Sequence, residues 1–178
     1  DATGSETQST ETRTETLEAI YGSVFVEFDT GMGFSLGIDV LPYTIDGENV
    51  TNVRGSGNTG TAVAVDSGTN RVSVDIENHL TLYANYMLND TYFVKAGLAF
   101  VELNTGESLG TGSKYGNEDI FGGVFGVGAR SDNHRFELIY TDYEDISLTS
   151  SVARTGVTGN NTIDADLDTL AFKYSYAF

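Results

Sequence analysis

The chain has no cysteine and no tryptophan, a single proline, and only nine lysines and arginines among its 178 residues. Without cysteine there is no disulfide framework and no thiolate metal site, while the redox compartment stays open, since secreted proteins can also lack it. The few basic residues face 26 Asp and Glu, for a formal charge of -17 and a pI near 4.1. Phosphate backbones repel such a chain, so nucleic acid is not an expected partner. Long hydrophobic runs are missing too: mean hydropathy is -0.17, and no apolar stretch approaches the roughly 20 residues of a membrane helix. That excludes helical spans only, because membranes also admit closed sheets. No basic-plus-apolar leader opens the chain, so a mature or trimmed form is expected.

What is present is period two. Apolar residues in 3.6 spacing are hard to find, and alternation runs through the whole chain, which reads as all-β. In 19–28, Ile20, Val24, Val26 and Phe28 alternate with Tyr21, Ser23, Phe25 and Glu27. After the turn signal at 29–32, Phe34, Leu36, Ile38 and Val40 oppose Ser35, Gly37 and Asp39. The longest alternation sets Val72, Val74, Ile76, Leu80, Leu82, Ala84, Tyr86 and Leu88 against Ser73, Asp75, Glu77, His79, Thr81, Tyr83 and Asn85. Further strands place Tyr92, Val94, Ala96, Leu98 and Phe100 against Lys95, Gly97 and Ala99, then Phe121, Phe125, Val127 and Ala129 against Gly122, Val124, Gly126, Gly128 and Arg130. Phe136, Leu138 and Tyr140 alternate with Arg135, Glu137 and Ile139, and the chain closes on LAFKYSYAF.

Connections alternate short and long, the long ones falling near 45–70, 104–117 and 149–163, and each strand offers about the 9–11 residues that cross a bilayer at a tilt. A water-soluble β-sandwich shares the alternation but has no reason to sort its loops into a short and a long set. Aromatic residues gather near the short turns at Phe28, Phe34, Tyr86, Tyr92, Phe136, Tyr176 and Phe178, where an interfacial girdle belongs. The opposite face carries Glu27, Asp39, Lys95, Arg130, Arg135, Glu137 and Lys173; inside a narrow barrel these charges must pair.

The terminal strand LAFKYSYAF, together with GGVFGVGAR followed by RFELIYTDYED, resembles the small eight-stranded outer-membrane barrels of Gram-negative bacteria, the OmpA/OmpX-type and opacity-like porin family. The resemblance runs from about residue 17 onward. It implies an antiparallel transmembrane β-barrel over 17–178 and an extracellular segment over 1–16. It also implies lipid and lipopolysaccharide contact, and a signal for the barrel-assembly machinery in Leu170, Phe172, Tyr174, Tyr176 and Phe178. Seven strands are visible where the family has eight, and bacterial barrels carry an even number. The first strand is therefore expected upstream of Asp1, through trimming or cleavage within the first loop, a first strand supplied by another chain, or an incomplete sequence. The rival is that 6–16, alternating as Thr-Glu-Thr-Arg-Thr, is itself a strand, although it has no apolar face to offer lipid.

Several clusters invite a functional reading. Asp75, Glu77 and His79 are expected to point inward with Ser73 above them, the residue types of acyl transfer, but alternate positions on one strand lie about 7 Å apart. They are expected to join the interior polar network, and the protein is expected not to be an enzyme. Asp164, Asp166 and Asp168 face outward above the apolar band, with Asp142 and Glu144 continuing the same face of the preceding strand. Together they form a candidate Ca²⁺ or Mg²⁺ site near the lipopolysaccharide phosphates. Val72, Val74 and Ile76 are expected to extend an outward apolar face, as lateral contact between copies or as packing under the loops. The functional expectation is a non-enzymatic surface barrel with acidic loops. The alternatives are a small or gated channel, and a self-associating barrel that builds an extended assembly.

Overall fold

Alternating side chains of Val, Ile, Phe, Tyr and Thr favour the pleated backbone, and Gly-, Asn- and Asp-rich turns return it. The computed structural model describes residues 2–6, 12–16, 18–46, 50–54, 68–108, 114–151 and 160–177. These form strands β1 (Ala2–Glu6), β2 (Thr12–Glu15), β3 (Val24–Asp29), β4 (Phe34–Val40), β5 (Val50–Arg54), β6 (Gly68–Met87), β7 (Tyr92–Ser108), β8 (Glu118–Ser131), β9 (His134–Tyr143), β10 (Ile146–Thr149) and β11 (Thr162–Tyr176). There is no helix among them. All seven strands expected from the alternation are present, as β3, β4, β6, β7, β8, β9 and β11.

Every pairing is antiparallel, in the order β2-β1-β11-β9-β8-β7-β6-β4-β3, with β10 beside β11 and β5 beside β6. The path ends at β2 and β3, so among the described residues the sheet is not closed by backbone hydrogen bonds. It is nonetheless curled, because side chains from its two ends meet: Arg135 of β9 reaches Glu27 of β3, and Lys173 of β11 reaches Asp39 of β4. Segment 1–16, expected as loop with 6–16 as a rival strand, carries β1 and β2; β1 pairs with β2 on one side and with the upper part of β11 on the other. Threonine-rich sequence suits a strand here because these positions lie beyond the apolar band.

The short turns share one end, called lower below. Asp29 Oδ1 accepts from Gly31 N at 2.8 Å, and Gly31 and Gly33 hold positive φ of 73° and 81°. Asn89 Oδ1 accepts from Thr91 N and Tyr92 N at 2.9 and 2.8 Å. Such Asx caps fix the hairpins.

Two glycines on inward positions are kept small by aromatic rings. The Tyr83 ring lies over Gly37, and the Phe93 ring lies over Gly128 of the next strand, so that a Cβ at either would overlap the ring. Phe93 is fully buried and cannot retreat. Gly128→Ala is therefore expected to destabilise by about 1–3 kcal/mol, the range for overpacking a filled interior, measured by urea unfolding in detergent.

Candidate functional site: the interior and the outer band

The inner face has two storeys. In the lower one, three carboxylates meet three cations. Glu27 receives Arg135 through both Nη1 and Nη2 at 2.7 and 2.9 Å, and also accepts from Tyr83 Oη at 3.0 Å and Asn85 Nδ2 at 2.9 Å. Lys95 Nζ lies 2.5 Å from Glu137 Oε1, with side-chain exposures of 4% and 2%, and 4.0 Å above the Tyr83 ring. Lys173 Nζ donates to Asp39 and, at 2.9 Å, to Ser23 Oγ. The fork of Arg135 on Glu27 is the strong bidentate form, and the added donors fill the lone pairs that a buried carboxylate must satisfy.

The upper storey is apolar. Ala99, Val101 and Leu103 of β7, Ile120 and Val124 of β8, Tyr143 of β9 and Ile146 of β10 form a buried cluster, with Ile76, Ile139, Leu148, Ala165 and Leu167 packed against it. At its lower margin His79 Nε2 lies 3.2 Å from Tyr143 Oη. A plug of hydrocarbon thus sits over a chamber of paired charges.

Glu27, Asp39, Lys95, Arg135, Glu137 and Lys173 are thus brought together. His79 faces inward at the boundary of the two storeys, and Arg130 pairs in register with Arg135 at the lower end. Asp75 and Glu77 do not join them. Asn78 takes a φ of 50°, and the β6–β7 register shifts between Glu77 and Leu80. This bulge inserts one extra residue, and with a side-chain period of two the faces exchange above it. Glu77 consequently stands opposite Glu102, and Asp75 opposite Asn104, on the outer face, while Ile76 turns in to the core. The outward apolar stripe expected of Ile76 is corrected in the same way; the side chain of Val72 lies outside the described residues. Tyr83, Asn85, Ser35 and Ser23, which complete the chamber, shared its inward parity in the sequence but carried no charge to mark them.

The outer face is apolar from β3 to β11. Val24, Val26, Phe28, Leu36, Ile38, Leu82, Leu98, Phe125, Val127, Leu138, Leu170 and Phe172 are all exposed, Phe172 at 74%. The aromatics expected near the lower turns are there, with Phe34 and Tyr86 rings 4.7 Å apart and Phe136 and Tyr174 5.2 Å apart. Leu170, Phe172, Tyr174 and Tyr176 share this face, and Phe178 lies outside the described residues.

The upper margin of the band is abrupt. Leu80, Phe100 and Phe121 stand side by side in register, and the next outward residues are Glu77, Glu102 and Asp119, again side by side. Tyr140 and Leu170 pair likewise, followed by Asp142 opposite Asp168. One row divides grease from acid.

Those acids do not build the single cation site expected from Asp142, Glu144, Asp164, Asp166 and Asp168. Between Asp142↔Asp168 and Ile146↔Ala165 the register moves by one residue. Glu144 is thereby turned to accept from Phe121 N at 2.9 Å, and Asp164 accepts from Ser147 Oγ at 2.8 Å. Among the described residues no group of three or more His, Asp or Glu is gathered to hold a metal ion. Asp166 instead faces Asp145, whose hydrogen bond and negative charge raise its carboxyl above the ordinary aspartate range. A raised folded value means that the folded chain binds this proton more tightly, so the contribution is present in acid and lost as pH rises through that value. Asp145→Asn is expected to return the Asp166 midpoint toward that of free aspartate, read from its carboxyl ¹³C shift.

No protein-family model, curated protein or solved structure matches the chain.

Proposed function

We propose that this chain is the wall of a small transmembrane barrel of the bacterial outer membrane, of the OmpA/OmpX kind, serving as a non-enzymatic structural and surface protein. One observation carries this reading: polarity is inverted. The large exposed side chains of the outer face are hydrocarbon and aromatic, while an ion pair is among the most buried features of the inner face. In water such an outer face is an uncovered apolar surface, whereas in a bilayer it meets its own solvent, with aromatics at one margin and acids at the other.

The role is anchoring and display. The apolar plug above the ion-paired chamber opposes the alternative of a channel. The net charge of -17 lies outside the chamber, whose six ionic groups cancel. The acidic margin and the acid-rich upper segments therefore face the medium and the lipopolysaccharide headgroups, where mobile divalent ions neutralise them. The terminal aromatic stripe serves recognition by the barrel-assembly machinery.

Purified chain refolded with lipid is expected to float with vesicles, to resist protease over the banded strands, and to give no discrete conductance steps in planar bilayers. Monodisperse behaviour in detergent-free buffer overturns the membrane reading. Reproducible current steps replace the anchoring role with the channel.

A further inference from the structure

The sheet is open at one place only on its described path, and the geometry of that place is specific. Six antiparallel steps lead from β3 to β11, so these two strands run in the same direction. They are unsuited to joining the antiparallel wall directly, and a strand between them must oppose both. β1 does oppose β11, in the register Ala2↔Leu167 to Glu6↔Ile163. Below that, residues 169–175 of β11 pair with β9 on one side and have no strand on the other among the described residues, and β3 pairs with β4 alone.

Width follows from a side chain that crosses the interior. Lys173 Nζ on β11 donates to Ser23 Oγ, at the entry to β3, at 2.9 Å. An extended lysine carries Nζ roughly 6 Å from its Cα and a serine hydroxyl sits about 2.4 Å from its own, so the two backbones are at most roughly 11 Å apart. Two strands flanking one vacant position are separated by about 9.5 Å, and two vacant positions would need about 14 Å. The opening is one strand wide.

The two edges also prescribe the side chains. Val24, Val26 and Phe28 on β3 and Leu170, Phe172 and Tyr174 on β11 are exposed on the outer face. On the inner face Ser175 is buried, and its Oγ has no hydrogen-bond partner among the described residues.

We propose that this opening is a strand-acceptor site. It takes one extended polypeptide segment of about nine residues, in line with β1 and antiparallel to both edges, apolar where it faces out and small or hydrogen-bonding where it faces in. This rests on the barrel reading above. It supplies the pairing whose absence would leave two backbone edges facing hydrocarbon, and it is β-augmentation with both edges of the incoming strand engaged.

Because the chain has no cysteine, single introduced cysteines report position cleanly. The probe is a synthetic nine-residue peptide alternating leucine with serine or glycine, with cysteine at a chosen outward place, added to the full chain refolded with lipid. A central cysteine is expected to crosslink to Phe172→Cys on one edge and to Val26→Cys on the other. A cysteine near the carboxyl end of the peptide is expected to crosslink several-fold more to Leu170→Cys than to Tyr174→Cys, because the strand ascends β11. Crosslinking at one edge only, the reverse preference, no capture, or crosslinks between two copies of the chain instead each overturn the site. Vesicle flotation is scored separately. A chain that floats but takes no peptide defeats the acceptor site alone, and one that takes peptide yet stays monodisperse without detergent defeats the membrane reading alone.

Discussion

Lys95→Met is expected to lower the unfolding free energy by about 3–5 kcal/mol, and Glu137→Leu by a similar amount, because each leaves one charge buried without its partner. The double variant is expected to recover most of the loss, since hydrophobic side chains of similar volume often replace a buried pair at little cost. The pair depends on the strand between its members. Lys95 stands opposite Gly126, and Gly128 stands opposite Glu137, so β8 presents no side chain to separate the ammonium on β7 from the carboxylate on β9. The Tyr83 ring closes the site from the other side. Urea unfolding of the two single variants and the double, followed by circular dichroism in one detergent, gives the coupling directly. Additive losses would show that the two charges do not stabilise each other, and that the chamber is wet rather than sealed.

The legible part of this fold was the part governed by parity. Lys95, Glu137 and Lys173 could be placed inside because each lies between apolar or aromatic neighbours on an uninterrupted strand, and Arg135 shares the parity of Glu137. Asp75 and Glu77 followed the same rule and went the wrong way, since one residue at Asn78, in a conformation that asparagine tolerates better than most, exchanges both faces for the rest of β6. A run of alternating letters does not record where its count slips. The slip near Glu144 is of the same kind, and it dispersed an acidic group that the sequence placed together. β1 was illegible for another reason, while β2 lies within the alternating 6–16 weighed as a rival strand: beyond the band neither needs an apolar face, and β1 rests on a neighbouring edge rather than on its own residues. The plug was hidden for a different reason: parity already puts Val101 and Leu103 on the inner side with Lys95 and Ala99, but only register shows that Ile120, Tyr143 and Ile146 gather around them.

Leu98→Arg separates the membrane reading from every soluble one. Leu98 is 65% exposed, one row below Phe100 at the upper margin of the band, between Leu82 and Gly123 on the adjoining strands. A side chain so exposed to water tolerates substitution within about 0.5 kcal/mol. An arginine facing lipid costs about 2–4 kcal/mol at the bilayer midplane and about 0–1 kcal/mol at its margins, so one row inside the margin a loss of about 1–2 kcal/mol is expected. Asp119→Arg on β8 is the matched control. It places the same cation on the outer face past the row where the band ends, beside Glu102, and is expected to change stability little in any medium. The two variants are compared by urea unfolding in vesicles. A loss confined to Leu98→Arg locates hydrocarbon at that height and water at the other. Equal small effects would mean that the apolar face meets no lipid, that its exposure is covered by protein instead, and that the buried charges belong to a soluble sheet.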